Sequence, residues 1–176
     1  MKLYLISTCL LLICFTSHTQ KLKVEKRVTD YSVYVIGDGF EGVIFDGTFK
    51  SGSKFNNFTR FTPKGKDVLS AENILKNFIY DKKKLNNSDD QFIRNNLQKY
   101  LRQYTGYINE KGEKVIHINA LWKESVLYFE QPIAGYKTIK WTEAYSYVND
   151  GGHHYWQVKV NLSTGEVFNY WVNGIG

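Results

Sequence analysis

The chain of 176 residues carries 23 Lys and Arg against 17 Asp and Glu, and 43% of it is hydrophobic. Its two cysteines, Cys9 and Cys14, both fall in the first twenty residues, so the remainder holds no disulfide, no thiolate nucleophile and no cysteine-ligated zinc. The basic residues from Lys21 to Arg102 are dispersed, which keeps a protein soluble and favours anionic surfaces without forming the stripe of a nucleic-acid groove.

The start, MKLYLISTCLLLICFTSHTQ, has a positive residue at Lys2, an apolar run from Leu3 to Phe15 and then small polar residues. This is the layout of a secretory signal peptide, and the run is short of the ~20 apolar residues that span a bilayer. Ser17 and Thr19 suit the positions before a cut, which places cleavage at Thr19 or Gln20 and the product in the periplasm or outside the cell. A lipid anchor wants a small residue before its cysteine; Cys14 follows Ile13 and Cys9 follows Thr8, which disfavours one. Removing Lys2 with the leader leaves 22 basic against 17 acidic residues, a formal +5, on a single domain over 21–176 with no further candidate membrane span.

Residues 31–36, 43–49 and 55–61 are rich in β-branched and aromatic side chains and read as a β-meander. Thr62 and Pro63 punctuate the chain, and Val68, Leu69, Ile74, Leu75, Phe78 and Ile79 then line one face of a helix. After the polar run KKKLNNSDD, residues Phe92, Ile93, Leu97, Tyr100, Leu101 and Tyr104 form a second helical stripe, with Arg94 and Arg102 on the other side and Gly106 as its stop. Strands follow at 107–109, 114–122 and 126–129. A closing meander then has NDGG at 149–152 as a hairpin turn and Ser163, Thr164 and Gly165 as a three-residue loop. This register puts Trp141, Tyr145, Tyr147, His154, Trp156, Val158, Val160, Phe168, Tyr170 and Val172 on one apolar face.

Gly37, Gly39 and Gly42 spell GxGxxG, the spacing of phosphate-cradling loops. A dinucleotide fold needs a helix after the glycines, and here the strand-like GVIFDGTF follows. A kinase needs VAIK-, HRD- and DFG-like strings, which do not occur. The glycines therefore read as a tight turn or bulge between strands, and no nucleotide or other cofactor is expected.

For catalysis the candidates are His117, which shares a strand face with Asn119, His154 on the apolar face, and Glu143, a carboxylate that burial would make costly without a partner. His153 and His154 point to opposite faces of a strand and do not form a metal site. Eight of the 36 residues from Trp141 onward are aromatic, more than one core face needs, and Tyr155 and Trp171 fall on the opposite face beside Gln157, Lys159 and Asn161. That surface suits a protein or glycan partner. The sequons at Asn57, Asn86 and Asn161 are used only if the source glycosylates.

The order of elements predicts an α+β fold, with two helices packed on a curved, mainly antiparallel sheet that ends in a three-stranded meander. The closing VNDGGHHYWQVKVNLSTGEVFNYWVNG resembles small exported proteins of unassigned function common in Bacteroidota, and the helix followed by a meander over 67–176 is similar to cystatin-like and NTF2-like rolls. The resemblance brings no inhibitory motif, since the QxVxG hairpin of cystatins is met here only by Gln157, Val158, Lys159, Val160 and Asn161. The expectation is an exported, non-catalytic binding module that uses Tyr155, Gln157, Lys159 and Trp171. The alternatives are a small hydrolase or lyase built on His117, His154 and Glu143, and a secreted protease inhibitor.

Overall fold

The computed structural model describes residues 21–50, 57–132 and 138–174. The proposed signal peptide and part of the expected strand at 55–61 lie outside them. Among the described residues eight strands form one open, mixed sheet: β1 (Val24–Thr29), β2 (Ser32–Ile36), β3 (Glu41–Phe45), β4 (Thr59–Phe61), β5 (Tyr100–Ile108), β6 (Lys114–Trp122), β7 (Tyr155–Asn161) and β8 (Val167–Val172). The path runs β1-β2-β3-β5-β6-β7-β8, and β4 pairs with the far end of β5 beyond β3. All pairings are antiparallel except β3 with β5. The class is α+β, and no described helix is long and apolar enough to cross a membrane.

Three helices accompany the sheet: α1 (Gly65–Tyr80), α2 (Ser88–Asn96) and α3 (Lys123–Phe129). At the start of α2, Asn87 and Asp90 cap each other, Asp90 N–H donating to Asn87 Oδ1 at 2.8 Å and Asn87 N–H to Asp90 Oδ2 at 3.1 Å. Helices α1 and α2 cover one face of the sheet, burying Val68, Leu75, Ile79 and Ile93 against Ile116, Ile118, Trp156 and Val158. The opposite, outer face has its own core, in which Val43, Phe45, Leu101 and Leu121 meet Trp141 and Tyr145, with Val126 of α3 at its margin.

The second helical stripe breaks earlier than its periodicity predicts. α2 ends at Asn96, and Tyr100, Leu101 and Tyr104 belong to β5, the centre of the sheet. Eight of the nine β5 residues are buried, so the alternation that marks a half-exposed strand is absent and helix-like spacing takes its place. Gly106 stops no helix. A Cβ there would lie 2.7 Å from Phe61 O and 2.9 Å from the Phe61 ring, so glycine is what lets β4 close against β5. Arg94 and Arg102, expected on the solvated side, are both buried; Arg94 donates to Ile79 O and Leu85 O and ties α2 to the end of α1.

The 126–129 segment is helical and belongs to α3. NDGG makes no hairpin: Gly151 and Gly152 take positive φ, a single 3-10 turn leads into β7, and Gly152 N–H donates to Gly174 O. Residues 141–146 form no strand, and Trp141 and Tyr145 lie on the outer face rather than with Trp156 and Val158. The β7–β8 loop is one residue longer than expected, closed by Asn161 N–H on Glu166 O at 2.9 Å. A bulge with Asn169 at φ 49° corrects for it, so Tyr170 and Val172 still face the helices, Val167 joins them, and Phe168 turns to the outer face.

Gly37 and Gly39 sit in the β2–β3 turn, and Gly42 lies in β3. Gly39 has φ +79°, and a Cβ on Gly42 would meet the Tyr104 ring at 2.4 Å and Arg102 O at 2.7 Å. These glycines serve a turn and the close approach of β3 to β5.

Candidate functional site

The antiparallel registers set the outer face out in rows across β5, β6 and β7. Leu101, Leu121 and Tyr155 make an apolar row; Gln103, Asn119 and Gln157 make a carboxamide row that reaches Trp171 of β8; and Thr105, His117 and Lys159 make a third that reaches Phe168. Polar side chains in the middle of a buried sheet face need partners, and for Gln103 and Asn119 residues 141–146 supply most of them from the backbone.

Gln103 Nε2 donates to Trp141 O at 2.7 Å and to Ala144 O at 2.8 Å, while Gln103 Oε1 accepts from Ser146 N–H at 2.9 Å and from Asn119 Nδ2 at 3.0 Å. Asn119 Nδ2 also donates to Ser146 O at 2.9 Å. His117 Nε2 lies 2.8 Å from the Tyr145 hydroxyl, whose pKa burial drives upward. Three side chains thus hold 141–146 flat on the sheet, doing what strand pairing does elsewhere. Glu130 adds an anchor by accepting from Trp141 N–H.

Between this segment and α3 runs a groove of about 370 Å³. Its floor is Leu121 and Tyr155, and its sides include Val126 and Phe129 from α3, Trp141 from the clamped segment and Ile139 just before it. Nine large hydrophobic residues are exposed among those described, and six of them, Leu127, Tyr128, Phe129, Ile139, Tyr147 and Trp171, come from these elements and the edge strand. Tyr128 and Phe129 are each 72% exposed and Trp171 63%, far beyond scattered surface hydrophobics.

The residues expected to bind fall together. Tyr155 lines the groove, and Gln157, Lys159 and Trp171 extend from it along β7 and β8. The Lys159 ammonium stands 5.5 Å from the Tyr107 ring centre and 6.0 Å from those of Phe58 and Phe168, and partial burial lowers its pKa.

The residues expected for catalysis do not gather. His117 is 1% exposed under the clamped segment. His154 stacks on Trp122, ring centres 5.0 Å apart, in the helix-side layer, so sheet β6–β7 separates the two imidazoles. Glu143 sits in a turn closed by its own N–H on Lys140 O, is partly exposed, and offers its carbonyl to the Tyr31 hydroxyl. The expected core position for this carboxylate is therefore corrected: without a strand at 141–147 there is no alternation to turn it inward.

Two arrangements of ionisable side chains escaped the sequence. Glu72 of α1, 8% exposed, accepts from the Tyr104 hydroxyl at 2.8 Å and lies 2.9 Å from Arg102 Nε, an ion pair without hydrogen-bond alignment. Burial raises the Glu72 pKa against the opposing pull of Arg102 and Tyr104, and the Arg102 terminal nitrogens donate to Tyr100 O and Leu97 O. His153, expected at a solvated tip, instead packs on Phe92 with ring centres 3.8 Å apart and places Nδ1 3.1 Å from Asp89 Oδ1. Among the described residues no group of three or more His, Cys, Asp and Glu is placed to hold a metal ion.

Comparison of the chain with known protein families, curated proteins and solved structures gives no match. The fold and the groove therefore define an α+β protein with an aromatic cleft on the outer face of its sheet, and its function has to be argued from that cleft.

Proposed function

We propose that the chain is an exported, non-catalytic binding module that takes an apolar or aromatic group of a protein or glycan partner into the groove between α3 and residues 139–148. The observation that carries the reading is the concentration of exposed aromatic side chains around an apolar groove of about 370 Å³, a size suited to one ligand group. Rigid aromatics offer large contact area at low entropic cost, and the wall formed by 141–146 is held by the Gln103–Asn119 clamp rather than left to fold on binding. Gln157, Lys159 and Trp171 continue the surface and would contact the parts of the partner that the groove does not hold. Export rests on the leader sequence, which puts the partner in the cell envelope or the medium.

The test uses the chain from Lys21 onward as bait against envelope and culture fractions of the producing cell, beside a Phe129→Ala, Tyr155→Ala variant. Phe129 is exposed and Tyr155 half-buried, so the variant should keep the fold. A partner held by the wild type and lost by the variant supports the reading. A partner retained equally by both places binding elsewhere and overturns the groove, and retention of nothing by either removes the binding module.

A further inference from the structure

The two edges of the sheet are chemically opposite. β1 reads VEKRVT, is exposed along most of its length and carries Glu25, Lys26 and Arg27. β8 reads VFNYWV, carries no charge, and pairs with no strand beyond β7 among the described residues. Charges discourage edge-to-edge pairing, whereas an uncharged, aromatic edge with open N–H and C=O groups is a template for another strand.

The bulge at Asn169 decides which side chains such a strand would meet. Val167, Tyr170 and Val172 face the helices, and Phe168 and Trp171 face outward. Reversed about the midpoint between Asn169 and Tyr170, this pattern maps onto itself: Val167 falls opposite Val172 on the helix side and Phe168 opposite Trp171 on the outer side. Residues directly opposite in an antiparallel pair share a face, so a second copy related by a twofold axis supplies two valine pairs and two aromatic pairs. A chain with surplus positive charge would meet its copy along its uncharged edge, where no like charges oppose.

We propose that the chain forms a twofold homodimer by antiparallel pairing of β8 with β8 of a second copy, the Phe168 ring of each protomer packing on the Trp171 ring of the other. The two sheets then run on as one, with both outer faces on the same side, so two grooves share one continuous surface. The proposal does not depend on what the grooves hold.

The chain from Lys21 contains every strand and both cores and serves as the test protein. Analytical ultracentrifugation should give a dimer, and Trp171→Lys, at a position 63% exposed, should shift it to monomer with an unchanged far-UV spectrum. This chain has no cysteine, so Phe168→Cys and Trp171→Cys can be made singly and mixed. The mixture should form a disulfide-linked pair on mild oxidation, and neither variant alone should do so to the same extent. A monomer at every loading concentration overturns the proposal, including one that takes up an added extended peptide along β8. So does a dimer that survives Trp171→Lys and gives no more disulfide in the mixture than in the separate variants.

Discussion

Replacing Gln103 with methionine keeps the volume of the side chain and removes its hydrogen bonding, and the consequence can be worked from the structure. Four contacts are lost, to Trp141 O, Ala144 O, Ser146 N–H and Asn119 Nδ2, all between 2.7 and 3.0 Å. At about 0.5–1.5 kcal/mol net for each, the sum is roughly 2–6 kcal/mol. The backbone of 141–146 can regain water by lifting away, whereas Asn119 stays on its strand and keeps its bond to Ser146 O only while the segment remains. Lifting caps the loss in the lower part of that range, about 2–4 kcal/mol. It also exposes Trp141 and Tyr145, now only 7% and 8% exposed, and opens one wall of the groove. Urea unfolding measures the total, and amide hydrogen exchange locates it, with faster exchange at 141–148 and unchanged protection across β5 and β6. A loss below about 1 kcal/mol with unaltered exchange in that segment would refute the clamp, because it would mean the segment is held by ring packing alone.

Gly106→Ala forces a Cβ to within 2.7 Å of Phe61 O and should cost about 1–3 kcal/mol in chemical denaturation, reporting on the β4–β5 seam. Arg102→Met leaves the Glu72 carboxylate buried without its cation and should destabilise by about 3–5 kcal/mol, with part of the loss recovered when Glu72→Gln is added. Burial, and after it the neighbouring His153, hold the His154 pKa below its usual 6.5, so the unfolded chain binds that proton first. Its contribution to stability is therefore complete above the usual value and is lost as pH falls through the lowered one, and the melting temperature of His154→Phe should fall less steeply on acidification than that of the wild type.

What could be read from residues alone tracks how each element is buried. β2, β6 and β7 were legible, β7 because it alternates strictly, with Trp156, Val158 and Val160 inward and Gln157 and Lys159 outward. α1 was legible because one of its faces meets solvent. β5 was not, since it is covered on both sides and its Tyr100, Leu101 and Tyr104 can be fitted to a helical period as well as to a strand. Two expectations together hide the site: Gln103 on a helix leaves its row-mate Asn119 without a partner, and NDGG read as a hairpin turn makes 141–147 a strand. The usable signal was a pair of polar residues, His117 and Asn119, on one face of an otherwise apolar strand. The aromatic surplus after Trp141 pointed to a binding surface, but the α3 wall stayed hidden, because a helix of seven residues with no buried side chain has too little pattern to distinguish it from a strand.

The parallel contact between β3 and β5 has a consequence for how the molecule assembles. Every other strand pair except β4–β5 and β6–β7 is joined by a short turn, whereas Glu41 meets Leu101, sixty positions further along the chain. Closing that span costs about 1.6 kcal/mol more in chain entropy than closing one of ten residues, so local hairpins gain their contacts first. The β1–β2–β3 ribbon and the β5–β6 hairpin are each built from local pairings and meet along a seam of five residue pairs, Glu41 to Phe45 against Leu101 to Thr105. The ribbon is in effect a prefabricated panel, expected to dock after the local hairpins have formed. Side chains add to the seam: the Tyr31 hydroxyl donates to Glu143 O, and Lys123 Nζ reaches Glu41 Oε2 at 2.6 Å, so the first residue of the helix that walls the groove also fastens the panel to the rest of the sheet.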